Sequence, residues 1–202
     1  MSLRRAALLV VALAVLVAGA GADAAVSSRP AQLPGLMVSK KVPWPANNGR
    51  YLRPRLKAIG LHALPTEGVR LHIHEHLDLV VNGRLYPVPA LIGINIPQRY
   101  ITELHTHDES GIIHVESPTV RAFTLGNFFD VWGLRFSTQC LGGYCANGAR
   151  HVYVWVNGKR VRTDPRKIIL ISHQEIVVAY GTLAAMKPLG PIPASYPFPQ
   201  GY

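Results

Sequence analysis

Six of the nine histidines fall within Leu71–Val81 and residues 103–116, and their spacing is what a metal site built on β-strands requires. In the first segment His72, His74 and His76 recur at every second position, with Asp78 next in the row. Strand side chains alternate between faces, so these four share one side. Leu71, Ile73, Leu77 and Leu79 share the other, where Glu75 interrupts an apolar row. The second segment carries Glu103, His105, His107, His114 and Glu116 around the loop Asp108-Glu109-Ser110-Gly111. A hairpin closed by that loop sets His107 opposite Ile112, His105 opposite His114 and Glu103 opposite Glu116, all on one face. A slip of one residue would send His114 to the other face. Directly opposed glutamates repel each other, and a cation beside them would remove the repulsion.

Imidazole nitrogen binds divalent ions at about 2.0–2.1 Å, and His-x-His on a strand presents two such nitrogens from one surface. A neighbouring strand then supplies the third ligand. Three protein ligands with an open position suit a catalytic zinc, while a 2-His-1-carboxylate set suits non-haem iron. The preferred ligands are His72, His74, His105 and His114, with His76 and His107 competing for the same ion. Glu103, Glu116 or Asp108 is then a fourth ligand, a partner that orients an imidazole, or a general base. Beyond residue 24 the methionines are Met37 and Met186, too far apart in sequence to suggest a thioether set for Cu(I). Nitrogen and carboxylate donors suit Zn, Cu(II), Fe, Mn or Ni alike. The same histidines also fit a plainer role, as an exposed polar or pH-responsive strand face.

The elements that must hold these residues are mostly strands. Leu71–Val81 alternates, Asn82-Gly83 turns the chain, and residues 84–88 return; His151–Val156, Asn157-Gly158 and residues 159–162 repeat the device. Asn-Gly between apolar runs marks a type I′ hairpin, because that turn needs positive φ at both central positions. The likeness of the two units hints at a duplicated hairpin. Further strands are expected over residues 100–107, 112–116, 168–170 and 175–180. One helix is expected, with Thr124 as N-cap, Phe123 and Phe128 as a hydrophobic staple, and Gly133 ending it. Leu125, Phe128, Phe129 and Trp132 give that helix an apolar stripe that belongs to the core. Residues 25–68 are rich in proline and read as an extended lead-in, part linker and part strap; residues 187–202 read as a Pro-rich tail without regular structure. The expected fold is mainly β, with antiparallel hairpins in a small sandwich or barrel-like domain and one short helix. Residues 69–133 form its histidine-rich half, and residues 134–186 a second hairpin half.

The first residues indicate a compartment. Arg4 and Arg5 precede an apolar and small-residue run over residues 6–22, and Ala22-Asp23-Ala24 supplies a small-x-small exit. That is the pattern of a secretory signal peptide, cleaved before Ala25. The alternative is a retained anchor, but the run is short and weak beside the ~20 apolar residues that a spanning helix needs. Cleavage removes two arginines and one aspartate, which lowers the formal charge from +10 to +9. Cys140 and Cys145 enclose Leu-Gly-Gly-Tyr and read as a disulfide closing a tight loop in an oxidising compartment, with metal ligation by both thiols as the alternative. A basic exported protein is suited to an anionic envelope polymer or a lipid surface. Its basic residues are scattered, apart from Arg150, Lys159, Arg160, Arg162, Arg166 and Lys167 near the second hairpin. No recognisable module interleaves them with stacking aromatics, so nucleic acid is not an expected partner.

Two site-level resemblances follow from these residues. His72-x-His74 or His105-x-His107, with Glu116 and His114, resembles the ligand logic of the cupins, although the cupin glycine spacings are absent. Leu71-His72-Ile73-His74 and Glu103-Leu104-His105 are similar to the ligand strands of the α-carbonic anhydrases, whose fold needs a longer chain. The phrases Leu104-His105-Thr106-His107-Asp108, Gly111-Ile112-Ile113-His114-Val115-Glu116 and Phe123-Thr124-Leu125-Gly126 to Trp132-Gly133 resemble an uncharacterised group of bacterial exported proteins over residues 70–181. That group carries no activity to transfer. Two functions of different class therefore stand. One is an exported metal-binding protein or metal-dependent enzyme activating water or dioxygen. The other is a non-catalytic envelope module with structural or pH-sensing histidines.

Overall fold

The strand formed by Leu71–Val81 lies inside the main sheet and organises everything around it. The computed structural model describes residues 32–202, so the expected signal segment lies outside the described residues. Among those residues no helix is long and apolar enough to cross a membrane. In chain order the elements are α1 (Leu52–Ile59), β1 (Ala63–Leu64), β2 (Leu71–Val81), β3 (Arg84–Tyr86), β4 (Ile94–Asn95), β5 (Tyr100–Thr102), β6 (Leu104–His105) and β7 (Ile112–Ser117). Then come α2 (Leu125–Trp132), β8 (Cys140–Leu141), β9 (Tyr144–Cys145), β10 (His151–Val156), β11 (Lys159–Val161), β12 (Glu175–Gly181) and α3 (Leu183–Met186).

The fold is mainly β, as the sequence patterns predict. Its main sheet runs β11-β10-β12-β2-β7-β6, with β3 also paired to β2, and it is open rather than closed into a barrel. Both Asn-Gly turns have the expected positive φ, 50° and 77° at Asn82 and Gly83, and 48° and 73° at Asn157 and Gly158. They close their hairpins through Val81↔Arg84 and Val156↔Lys159. The two hairpin units then meet in one sheet, because β12 pairs with β2 in parallel. That parallel ladder departs from an all-antiparallel expectation.

Three other expectations change. Residues 100–107 are not one strand: β5 joins β1 and β4 in a separate three-stranded sheet, and the chain bends at Glu103 before β6 enters the main sheet. Residues 168–170 form no strand and make only a bridge, Thr124↔Ile169. The Pro-rich lead-in contains a helix, α1. Pro54 sits in its first turn, where the missing N–H costs nothing, and Gly60 ends it at φ 67°. Arg55 of α1 is fully buried and donates to the carbonyl oxygens of Asn47 and Val131, tying the lead-in to α2. The described residues thus hold three short α-helices rather than one. Helix α2 itself is as expected, with a Thr124–Asn127 capping box and Gly133 at φ 73°. Its Leu125, Phe128, Phe129 and Trp132 are completely buried.

The sheet has two unlike faces. Leu77, Leu79 and Val81 of β2, Ile113 and Val115 of β7, and Leu104 of β6 pack with the α1 and α2 side chains in the principal core. On the outer face, Val80, Tyr153, Trp155, Val177 and Ala179 form a smaller cluster beneath Met186 and Ile192. The even-numbered row of β2 runs from Val80 in that cluster to His72 at the far end. The histidines therefore occupy one end of the outer face.

Glu75 lies on the inner face, 0% exposed, and neither carboxylate oxygen has a hydrogen-bond partner. Burial pushes its carboxyl up to about 8. Between the unfolded value near 4.5 and about 8, the folded chain keeps a proton that the unfolded chain releases. Stability should fall as pH rises through that window, by on the order of 5 kcal/mol. Glu75→Gln should flatten the slope in chemical denaturation between pH 5 and 9. An unchanged slope would show that Glu75 is not its source.

Candidate metal centre

Three adjacent strands bring the donors together. Strand β2 pairs with β7 in the register His72↔Glu116 and His74↔His114. Strand β6 pairs with β7 through His105↔His114, the opposition that the hairpin loop implies. His114 therefore sits between His74 and His105 in a row across the sheet, with His72 and Glu116 in the next row. The rings are close: His74 and His114 meet edge-on at 4.6 Å, and His114 and His105 stack at 5.2 Å. The β6–β7 connection is longer than four residues, because Thr106 turns aside to bond the backbone of Leu91 and Ile92. His107 nevertheless reaches back, its Nε2 3.2 Å from Nε2 of His105.

Ring nitrogens and one carboxylate converge. His72 Nε2 is 3.2 Å from His74 Nε2 and 3.2 Å from Glu116 Oε1. Glu116 Oε1 is also 3.2 Å from His114 Nδ1. Glu116 Oε2 lies 3.8 Å from His105 Nε2 and has no hydrogen-bond partner, although it is buried. His105 Nδ1 donates to the Thr102 carbonyl oxygen at 2.9 Å. A neutral imidazole that donates from Nδ1 carries its lone pair on Nε2, so His105 aims a lone pair into the cluster. The donors form two groups that could hold a metal ion, His72, His74, His114 and Glu116, and His105, His107, His114 and Glu116.

The electrostatics favour the ligating forms. Burial, helped by His114 and His72, pushes His74 down to about 4. Burial pushes His105 down to about 3, against the opposing pull of Glu116 and the Thr102 carbonyl. Both imidazoles are thus neutral near pH 7. Burial alone would raise Glu116, but its contact with His114 and the nearby His105 and His72 hold it below the usual carboxylate range. The Glu116 anion and the neutral rings of His74 and His105 are already in the forms that bind a cation.

The remaining candidates lie elsewhere. Glu103 does not face Glu116: at the bend its carboxylate accepts from the His62 backbone N–H at 2.9 Å and from His62 Nδ1 at 2.8 Å. The strand changes sheets there, so the alternation that would have paired the two glutamates is lost. Asp108 stays in the exposed loop, where the hydroxyl and backbone of Ser110 lower its carboxyl. His76 is separated from the cluster. Its Nδ1 is 2.7 Å from Glu175 Oε2, its Nε2 is 2.9 Å from the Ser110 carbonyl, and Tyr196 stacks on its ring at 3.7 Å. His76, Asp78 and Glu175 form a third group of possible ligands, but protein oxygens already engage both imidazole nitrogens. Burial raises the Glu175 carboxyl, with Asp78 acting in the same direction and His76 against it.

Several neighbours escape a reading of the sequence. Glu67 Oε1 lies 3.5 Å from His107 Nε2. The tail crosses the histidine face, with the Tyr202 ring 4.7 Å from His74 and 5.7 Å from His114. His173 donates from Nε2 to the Tyr202 backbone oxygen at 2.8 Å and packs on Phe198. The alternation of Tyr196, Phe198 and the prolines around them was the available signal: an extended segment with aromatics at every second position.

The different settings of His76 and His72 can be separated by mutation. His76→Ala leaves the buried Glu175 unpaired and should cost about 3 kcal/mol or more, without lowering the metal content of the folded fraction. His72→Ala, at a side chain 55% exposed, should scarcely move the melting temperature. Thermal denaturation and elemental analysis of both variants check this, and a large metal loss in His76→Ala would return that residue to the ligand set.

No protein-family model, curated protein or solved structure matches this chain.

Proposed function

We propose that this chain is a divalent transition-metal-binding protein whose histidine face holds the metal through His72, His74, His105, His107, His114 and Glu116. One observation carries the reading: Glu116 Oε2 is buried without a hydrogen-bond partner and faces the His105 Nε2 lone pair at 3.8 Å. Two electron-rich atoms facing each other in a desolvated setting are unfavourable, and a cation between them satisfies both. The Thr102 carbonyl supports this, because a hydrogen-bonded outer nitrogen fixes the ring of a ligating histidine. The donor set is nitrogen and carboxylate, which suits Zn, Cu(II), Fe, Mn or Ni and not Cu(I).

His105 and His114 are buried and anchor the site, while His72 and His107 are 55% and 42% exposed at its rim. That side admits water. A bound divalent ion can lower the pKa of its water to about 7, and activation of water is the chemistry this open rim serves. The setting we propose is outside the cytoplasm. Support comes from the expected leader and from the disulfide joining Cys140 and Cys145, a bond that persists in oxidising compartments.

Protein purified without an affinity tag should contain at least one equivalent of a transition metal. Adding Zn2+ to chelator-stripped protein at about 100 times its dissociation constant should stabilise it by ~2.7 kcal/mol, a rise of several degrees in melting temperature. Less than about a fifth of an equivalent, with no thermal shift from Zn, Cu, Mn, Fe or Ni, would overturn the proposal.

A further inference from the structure

The donors on the histidine face divide into two groups of four that share His114 and Glu116, each group spanning no more than 4.8 Å. We infer that the face holds two divalent ions, one at each His-x-His pair, with the Glu116 carboxylate bridging them and His114, whose neutral ring has a single lone pair, completing one of the two. This rests on the metal-binding reading above and goes beyond it in number and arrangement.

The two oxygens of Glu116 address different histidines. Oε1 lies 3.2 Å from His72 Nε2 and 3.2 Å from His114 Nδ1, and Oε2 turns to His105 Nε2 at 3.8 Å. Each His-x-His pair closes on itself, with Nε2 to Nε2 at 3.2 Å for His72 and His74 and again 3.2 Å for His105 and His107. Ligands bound at about 2.0–2.1 Å around a tetrahedral ion stand ~3.4 Å apart, so each pair has the separation of one edge of a coordination polyhedron. One ion cannot use both edges. Placed between His72 and His74, it leaves Glu116 Oε2 and the His105 lone pair facing each other uncompensated. Placed between His105 and His107, it leaves the His72–His74 edge and Oε1 without a cation. Two ions use every donor, and a carboxylate that offers one oxygen to each suits the ~3.5–4 Å spacing of two-metal sites.

Native mass spectrometry and elemental analysis of the full-length protein, stripped and reloaded with Zn2+, should give two equivalents. His72→Ala and His107→Ala remove rim side chains that are half-exposed, so both should fold, as circular dichroism will check, and each should retain one equivalent. Reloading with Mn2+ should give the broadened electron paramagnetic resonance signal of a coupled pair, and either variant should restore the spectrum of an isolated ion. One equivalent in the unaltered protein overturns the two-ion inference and leaves the metal-binding reading standing. None overturns both. Two equivalents that are magnetically isolated, or that survive in either variant, overturn the bridge.

Discussion

Strand β2 is paired along both edges, antiparallel to β7 and parallel to β12, and that double pairing governs the histidine face. Its backbone donors and acceptors are committed to two ladders, so the strand cannot slip by one residue without breaking both. A slip would also move Leu77 and Leu79 out of the core. Burying a leucine is worth about 1.5–3 kcal/mol, and both of these are essentially inaccessible. The alignment of His72, His74 and Glu116 is therefore enforced from the opposite side of the sheet. The donors need no stabilisation of their own to stay in register, which lets them be chosen for chemistry.

Desolvation acts on the same residues. His74, His105 and His114 lie beneath the surface layer, and burial holds the first two in their neutral form. A neutral imidazole still needs a partner for each nitrogen. His105 finds one in the Thr102 carbonyl and is left with a lone pair on Nε2, flanked by His107 Nε2 at 3.2 Å and the Glu116 carboxylate at 3.8 Å. The outer face thus combines apolar packing under Met186 and Ile192 at one end with an electron-rich, partly buried histidine cluster at the other. Tyr202 and Tyr196 extend the covering from the packed end towards the histidines.

What the sequence reveals of this arrangement is local. Strand parity, the two Asn-Gly turns and the capped helix α2 each depend on residues within a few positions of one another, and each is found in the structure. The opposition of His105 and His114 belongs to the same class, because a short connection sets the register. What stays hidden is non-local or disguised. The partner of His76 is Glu175, 99 residues away, and nothing in the His72-His74-His76 row distinguishes the third histidine from the first two. The parallel pairing of β12 with β2 leaves no short-range mark. The bend at Glu103 comes from a strand shared between two sheets, and α1 is concealed by a proline that its first turn tolerates.

The four buried glutamates distinguish a site from ordinary ion pairing. Glu75, on the inner face, has no partner, and its carboxyl is driven towards the neutral form. Glu103 and Glu175 are each matched by one imidazole, His62 and His76, at 2.8 and 2.7 Å. That is the one-to-one compensation expected of structural carboxylates. Glu116 differs in the number of its imidazoles: His72, His105 and His114 all lie within 3.8 Å of it, whereas Glu175, which also keeps one buried oxygen without a hydrogen bond, has His76 alone. A structural pair would not need three imidazoles. Three imidazoles around one carboxylate make sense around a cation, whose coordination uses lone pairs in numbers that hydrogen bonding to one carboxylate cannot.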